Sequence, residues 1–401
     1  MIQLPFITIL LITNLFPTKY TPNKGRFIEE RYRNLSTLGI NVVVLCIISG
    51  DIDVSVSRIS KNFTIYTISV GNFQDKSILA KFQSISKGSI LILKTIVSLG
   101  DVDIIIVEYP NFFINIISIL TKIYLNSPLI LSFRGTDLRN LPNKSLIQYI
   151  SLEITFFFTT KIFILNKEML QHLSKFNIKP SVSIVKPGID PVEFQLITSM
   201  PIIFRKNYHD IQNLRNSVDL MLLMVGKFDG HKMQDILIYN IEKLNKELDL
   251  TVGLVLIGSI KKLNIESDLI RRIENNTNII HLEYIPHDYI SKFFESCDIY
   301  IHLSLNEGTP TVIMEAMSLG KIILASNVGG IPDLLQNGRG IILNNTNIAS
   351  ELRTNLRNIF ENKSKYENLG EKAKNYIYEY RTSLKEANQI KSILLKLLFK
   401  K

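Results

Sequence analysis

Two glutamates separated by seven residues, Glu307 and Glu315, stand in the stretch SLNEGTPTVIMEAMSLGKIILASNVGGIPDLLQNGRG from Ser304 to Gly340. The stretch overlaps an apolar run, DIYIHLSL, whose length and composition predict a buried parallel strand. After that run Asn306-Glu307-Gly308 reads as a turn, with Thr309 as N-cap and Pro310 as first residue of a helix. The strand therefore delivers Glu307 to its carboxyl end, the edge at which open α/β sheets bind ligands. A helix starting there points its first backbone N–H groups and its positive dipole end into the same crevice, which suits an anion such as a diphosphate. Glu315 follows about two helical turns along and can look back at the pocket wall. Two carboxylates beside an anion site repel the anion unless they face hydroxyl donors, and a sugar supplies those.

The elements that must position these residues run the length of the chain. The first half alternates apolar runs with helical patterns: FITILLI, Gly25 to Leu38, INVVVLCII, FTIYTISV, a basic amphipathic segment Lys76 to Leu99, VDIIIVEY, a helix from Asn111, PLILSF, a further helix, and KIFIL. Continuously apolar strands alternating with helices predict a parallel sheet covered on both faces. The pattern changes near Val182. After Ile197 to Ser217, which reads as a connecting segment, a second α/β series begins: DLMLLMVGKF, a helix from Lys232, VGLVLIGS, a helix, NIIHLEYI, a helix from Pro286, and DIYIHLSL. A polar helical run follows from Tyr366, ending in SILLKLLFKK.

Bulk properties set bounds on function. At 401 residues the chain exceeds one ordinary core, and 46% hydrophobic with 20% charged residues describes globular domains. Cys46 and Cys297 sit in apolar runs and read as buried free thiols, which fits a reducing cytoplasm. His281, His287 and His302 lie on or after separate strands without metal-ligand spacing, so no metal is expected and all three read as ordinary structural histidines, with contact to the donor as the lesser alternative for His302 at its strand end. The apolar start MIQLPFITILLITNLFP lacks a basic region and a small-residue cleavage site and breaks at Pro17, so it reads as a first strand. No segment meets the transmembrane criterion. Formal charge is +10, with +7 in residues 1–195 and +3 in 196–401. Without a nucleic-acid motif or an aromatic stacking platform, that excess points to an anionic membrane surface or acceptor and not to nucleic acid. Lys76, Lys81, Lys87 and Lys94 recur among apolar residues on one helical segment. It could lie on anionic lipid or pack on the sheet with its lysines in water.

The paired glutamates, with Gly308, Pro310, Ala316, Gly320 and the turn Gly329-Gly330-Ile331-Pro332 in matching order, resemble the donor-sugar motif of retaining glycosyltransferases of family 4, whose fold is GT-B. The resemblance implies two Rossmann-like domains facing each other across a donor-binding cleft. It implies an N-terminal acceptor domain at 1–190, a linker at 191–217, a C-terminal nucleotide-sugar domain at 218–365, and C-terminal helices at 366–401 that cross back to the first domain. It gives Glu307 the donor-sugar hydroxyls and Glu315 the nucleotide ribose, with Gly308, Thr309, Pro310 and Thr311 lining the donor site. Val225-Gly226-Lys227 with Lys232 five residues on is similar to the family's basic pair that grips the diphosphate, although Lys227 replaces a commoner Arg and Met233 a usual Gly. Gly25, at the mouth of a helix, matches a loop that touches donor phosphates or the acceptor. Arg134 in ILSFRGTDLR stands where the family often has a histidine near the transferred sugar; it is a poor base and a good clamp for phosphate or carboxylate. Asp137 is one candidate to pair with it.

The activity the resemblance implies is transfer of a sugar, with retention, from a nucleotide diphosphate sugar to a glycan or lipid-linked acceptor in cell-surface polysaccharide synthesis. Glu307, Lys232 and Arg134 are its catalytic candidates, and no cofactor is required. The alternatives are a nucleotide-sugar epimerase or hydrolase of the same fold, and a non-catalytic glycan- or nucleotide-binding protein. The expected location is the cytoplasm, at the inner membrane face.

Overall fold

The computed structural model describes residues 7–18, 21, 24–71, 78–139, 146–196, 199–247, 250–260 and 266–399. It divides into two compact units, one formed by Met1–Pro187 with Ser383–Lys401 and the other by Gly188–Thr382.

The first unit runs β1 (Thr8–Thr13), α1 (Arg26–Thr37), β2 (Asn41–Ile48), β3 (Asp53–Ser60), β4 (Phe63–Ser69), α2 (Ile78–Ser98), β5 (Ile104–Glu108), α3 (Phe112–Leu125), β6 (Leu129–Ser132), α4 (Thr136–Arg139), α5 (Leu146–Phe158), β7 (Lys161–Ile164), α6 (Glu168–Leu173) and β8 (Ser181–Ile184). Among the described residues its sheet has eight strands in the order β3-β4-β2-β1-β5-β6-β7-β8. The pairings are parallel except that of β3 with β4. The purely parallel sheet expected from the sequence is thus corrected at one edge. The segment DVSVSRIS turns back at Lys61-Asn62 and pairs antiparallel with β4, and it is mostly exposed, so it carries no continuous apolar run.

Alternation along the central strands explains why both faces are covered. Ile9 and Leu11 of β1 face the core shared with Ile28, Tyr32 and Leu35 of α1, while Leu10 and Ile12 face Ile92, Ile96, Ile114, Ile117, Leu152 and Phe156 of α2, α3 and α5.

The second unit contains α7 (Pro191–Gln195), α8 (Ile202–Ser217), β9 (Leu220–Val225), α9 (Gln234–Glu247), β10 (Val252–Ile257), α10 (Glu266–Glu274), β11 (Ile279–Leu282), α11 (His287–Glu295), β12 (Ile299–His302), α12 (Thr311–Ser318), β13 (Ile322–Ser326), α13 (Ile331–Leu335), β14 (Ile341–Leu343), α14 (Ile348–Glu361) and α15 (Lys363–Tyr380). Its sheet is parallel in the order β11-β10-β9-β12-β13-β14. Residues 191–217, expected as a linker, instead form α7 and α8 of this unit. Phe194, Ile211 and Leu214 are buried in its core, and two prolines with short polar stretches had masked the helical pattern. The final helix α16 (Ser383–Leu398) belongs to the first unit, where Ala387, Ile390 and Leu394 pack in the core of α1.

Strand order creates a switch point in each sheet, where consecutive connections leave in opposite directions. In the first unit it lies between β1 and β5, in the second between β9 and β12. The loops following three of those strands carry Gly25, Lys227 with Lys232, and Glu307, and Glu108 ends the fourth, so the topology itself gathers these residue types at two crevices.

At the first crevice Glu108 is fully buried and accepts from Arg31 Nη1 at 2.8 Å and Tyr32 Oη at 2.9 Å; Arg31 also pairs with Glu386 of α16. Replacing Glu386 with Ala leaves Arg31 with half its counter-charge in a buried setting. It should destabilise the protein by about 3 kcal/mol, the scale for breaking a buried ion pair. Urea denaturation measures this, and a change below about 1 kcal/mol would mean that the cluster does not hold α16.

Candidate functional site

Glu307 stands five residues beyond the end of β12, and its carboxylate meets two partners drawn from the neighbouring strands. His302, the last residue of β12, places Nε2 at 2.8 Å from Glu307 Oε1. Lys232, in the loop after β9, forms a close ion pair with the same oxygen. The two loops are tied together by their backbones, because Leu305 N–H donates to the His231 carbonyl at 2.8 Å. The Lys232 stem runs alongside Gly226, where an added Cβ would lie 3.6 Å from it, an ordinary contact. The following residue, Met233, has φ of 44°, a region that favours glycine, and its side chain is buried beneath the loop. The resemblance places glycine there, and the backbone accounts for that preference.

Proton positions follow from distance. An ionised Glu307 can only accept, so the 2.8 Å contact requires that His302 Nε2 carry the proton. Nδ1 is then an acceptor for the Tyr300 hydroxyl at 3.1 Å. Lys232 Nζ lies 3.3 Å from the same Nε2, too long to compete with its closer contact to Glu307. Burial alone would raise the Glu307 pKa, but the His302 hydrogen bond and the Lys232 charge outweigh it and hold the carboxyl at about 2. Burial lowers the His302 pKa, and Lys232 adds to that against the pull of Glu307, so the ring is neutral in the ordinary range. Tyr300 is pushed well above its usual value by burial and by Glu315 and Glu307, and so stays a donor.

Two glycines fix the turn that presents Glu307. Gly330 N–H donates to the Gly308 carbonyl at 2.6 Å, and Gly329 has φ of 60°. A Cβ on Gly329 would lie 2.2 Å from the Glu307 carbonyl oxygen, which no side chain tolerates. This clamp also corrects the expected helix start. With Gly308 pinned, the chain stays extended through Pro310 (φ −72°, ψ 122°), and α12 begins at Thr311 with Pro310 in the cap position. Thr309 is therefore outside the helix and does not occupy its N-cap. Gly308, Thr309, Pro310 and Thr311 line the path between the Glu307 turn and the helix.

Glu315 is buried on α12, and its Oε1 lies 2.9 Å from Nε2 of His287, the first residue of α11. Lys227 is exposed on the turn after β9, and Gln234 Nε2 donates to its carbonyl at 3.1 Å.

In the first unit Gly25 is the N-cap of α1 with φ of 77°, and a Cβ there would meet the Leu15 carbonyl at 2.4 Å, so loop geometry by itself demands glycine. Arg134, at the end of β6, donates from Nε and Nη2 to Glu108 at 2.8 and 3.1 Å and lies over the Phe27 ring at 5.2 Å. Its charge is matched by a carboxylate, a different setting from an open phosphate clamp. Asp137 accepts from the backbone N–H groups of Arg134, Gly135 and Leu138.

Sequence reasoning missed Glu108, Arg31, Tyr32 and Tyr300, and it weighed His287 only as a metal ligand, without its contact to Glu315. The available signal was Glu108 closing the apolar run VDIIIVEY, since a carboxylate at the end of a buried strand needs partners. Cys46 and Cys297 are free and buried, and burial pushes each thiol up to about 12. Among the described residues no group of three or more His, Cys, Asp or Glu is placed to hold a metal ion, and no helix is long and apolar enough to cross a membrane.

Residues 206–376 match the family model described as "Glycosyl transferases group 1". A Methanocaldococcus jannaschii protein described as an uncharacterized glycosyltransferase is 25% identical over 312 residues, covering 74% of this chain and 77% of that one. Among solved structures, sucrose-phosphate synthase from Thermosynechococcus elongatus superposes with a TM-score of 0.78 at 14% identity, covering 98% of this chain and 100% of that one. Anabaena HepE in complex with UDP and glucose gives a TM-score of 0.69 at 16% identity, covering 97% and 99%. The fold they share with this chain is GT-B.

Two outcomes follow from the geometry. A folded-state pKa below 6.5 for His302 contributes stability that is complete above that value and is lost as pH falls through the folded pKa; Glu307 does the same as pH falls through about 2. Nitrogen-15 NMR of the histidines should show His302 neutral at pH 6.5 and protonated at Nε2, and an Nδ1–H tautomer or a cation would contradict the hydrogen-bond assignment. Gly329→Ala should displace the Glu307 turn and lower both melting temperature and activity, whereas unchanged values would show that the clamp is dispensable.

Proposed function

We propose, for a chain that carries the group 1 glycosyltransferase domain and is a glycosyltransferase, that its donor is a nucleotide diphosphate sugar and that transfer proceeds with retention to a glycan or lipid-linked acceptor in cell-surface polysaccharide synthesis. The observation that carries this reading is the Glu307–Lys232 pair at the switch point of the second sheet. In the absence of donor each group neutralises the other. A diphosphate is a stronger counter-charge for Lys232, and a sugar hydroxyl is a donor to Glu307, so a nucleotide diphosphate sugar satisfies both ends of the pair at once. Lys227 on the adjoining turn and the N-terminus of α12 add positive potential for the phosphates. HepE, similar in fold, binds UDP and glucose by its description, which supports the same donor class here. Glu315 is proposed to hold the nucleotide ribose, exchanging its His287 contact for hydroxyls.

Transfer makes a glycosidic bond to the acceptor oxygen and breaks the bond from the sugar to the phosphate. The acceptor's proton must go somewhere. Glu307, held at about 2, is too weak a base, and His302 Nε2 is occupied by its own proton. The proposal gives that proton to the departing phosphate oxygen, on the same face as the attacking hydroxyl, the front-face route with retention that the family resemblance implies. Lys232 and Lys227 stabilise the charge that develops on that phosphate. Gly25 and Arg134, with Arg134 steadied by Glu108, are proposed to contact donor phosphates or the transferred sugar. A location at an anionic membrane surface is part of the proposal. Its support is the exposure of Lys87 and Lys94 on α2 beside exposed Ile90, Leu93 and Val97; Lys76 and the Lys81 side chain lie outside the described residues.

A panel of nucleotide sugars, with released nucleotide as readout and anomeric configuration followed by NMR, tests the activity. Glu307→Gln and Lys232→Ala should each reduce turnover about 100-fold, equivalent to about 3 kcal/mol of barrier. Glu315→Ala should raise KM with kcat nearly unchanged, because a ribose contact binds ground and transition states alike. Near-normal turnover in the first two, or loss confined to kcat in the third, would overturn these roles.

A further inference from the structure

Two cavities in the first unit share a wall. The larger, about 980 Å³, opens beside the carboxyl ends of β1, β2 and β4 and is bounded on one side by α3. Its far wall is hydroxyl- and carboxylate-rich, with Thr67, Ser69, Asp51 and Asp53, and Lys24 also lines it. Two buried polar atoms in its lining residues, Asn14 Oδ1 and Ser69 Oγ, have no hydrogen-bond partner among the described residues. Buried groups of this kind cost stability unless something pairs with them, and a hydroxylated molecule supplies both donor and acceptor.

The second cavity, about 380 Å³, is a groove between α3 and α5 whose lining is apolar apart from Ser151. Phe112, Ile116 and Leu120 line both cavities, so the α3 stripe is the ridge between a polar chamber and an apolar trough. The trough walls are exposed: Leu120 is 42%, Ile150 47% and Ile154 49% accessible. Leu146, Ile147 and Phe157 extend the apolar face along α5, and Ile123 and Tyr124 extend it along α3. Helices on the opposite face of the same sheet differ. There α1 and α16 turn Arg33, Thr37, Lys385, Asn388 and Lys396 outward. An apolar surface of this extent, continuous with a polar chamber, marks a binding surface.

We infer that the first unit takes an amphipathic acceptor, with a hydroxyl-bearing head in the chamber against Asn14 and Ser69 and a hydrocarbon chain laid over α3 into the α3/α5 groove. This rests on the glycosyltransferase reading and narrows its acceptor from a glycan or lipid-linked molecule to the lipid-linked class. From Phe112 to Leu120 the ridge is about 12 Å long at the helical rise, so the groove accommodates only part of a long chain and leaves the rest for a bilayer.

The test is calorimetric titration of the full chain with n-alkyl β-glucosides, from hexyl to decyl, below their micellar concentrations. Affinity should rise about fourfold per added methylene, from the free energy of burying one CH₂, until the groove is filled, and glucose alone should give no measurable binding. Leu120→Asp and Ile150→Asp, both at exposed positions, should flatten the chain-length dependence; Ile116→Ser with Ile154→Ser serves if either aspartate variant misfolds. Ser69→Val should weaken every glucoside by the same factor without changing the slope. Affinity independent of chain length, or a slope untouched by the groove substitutions, overturns the inference. So does sedimentation showing a stable dimer that loses its partner in the same variants, since a second copy then covers the face. Nucleoside diphosphate binding, measured in parallel, separates the two levels. If it persists without chain-length dependence, only the acceptor class falls; if it is absent, the transfer reading falls whatever the glucosides do.

Discussion

A carboxylate removed from water keeps its charge only where cations and hydrogen-bond donors surround it. At the end of β12 that condition is met by one lysine and one histidine, delivered from two strands that the topology makes neighbours although about seventy residues separate them. Everything in the second unit that bears on function serves this meeting. Strand order sets β9 beside β12, and the lysine stem runs alongside Gly226. The Gly329-Gly330 turn holds the Glu307 backbone, and Tyr300 fixes the tautomer of the histidine that touches it. The result is a charge pair complete in itself and still partly open, with Glu307 at 13% and Lys232 at 19% side-chain exposure. A ligand can therefore reach it.

The first unit repeats the arrangement in a sealed form. Glu108 also ends the strand across a switch point, and it too is held by cations, Arg31 and Arg134, with Tyr32 as a third donor. Here the carboxylate has no exposure, and α16 closes the cluster through Glu386. Similar chemistry at equivalent positions of the two sheets thus divides between a pair that can open to a ligand and a cluster whose buried carboxylate holds Arg31 and steadies Arg134. Burial, more than residue type, separates them.

Much of the second unit was legible because its signals are local. The run DIYIHLSL, the turn at Glu307-Gly308 and the helix carrying Glu315 lie within one strand-turn-helix unit, and periodicity with turn chemistry identifies such units. What stayed illegible depends on long-range pairing. Arg31 meets a carboxylate 77 positions away, and Glu386 meets Arg31 across 355 positions; no spacing rule encodes either. The helix start at Thr311 was displaced from expectation because a distant glycine pair holds Gly308, which local capping preferences cannot register. Strand β3 and helices α7 and α8 escaped because their patterns are weak: an exposed edge strand alternates without a continuous apolar run, and proline-led helices resemble connecting chain.

The central claim is that Lys232 exchanges the Glu307 carboxylate for a diphosphate. Calorimetric titration of nucleoside diphosphates and their parent nucleosides, against the natural protein and Lys232→Met, tests it most directly. The account predicts that the natural protein prefers the diphosphate of whichever base binds, by at least tenfold, about 1.4 kcal/mol, and that most of this preference disappears in the variant while nucleoside affinity is retained. An equal preference in both proteins would contradict it, because the phosphates would then be held elsewhere and the Glu307–Lys232 pair would be a structural contact.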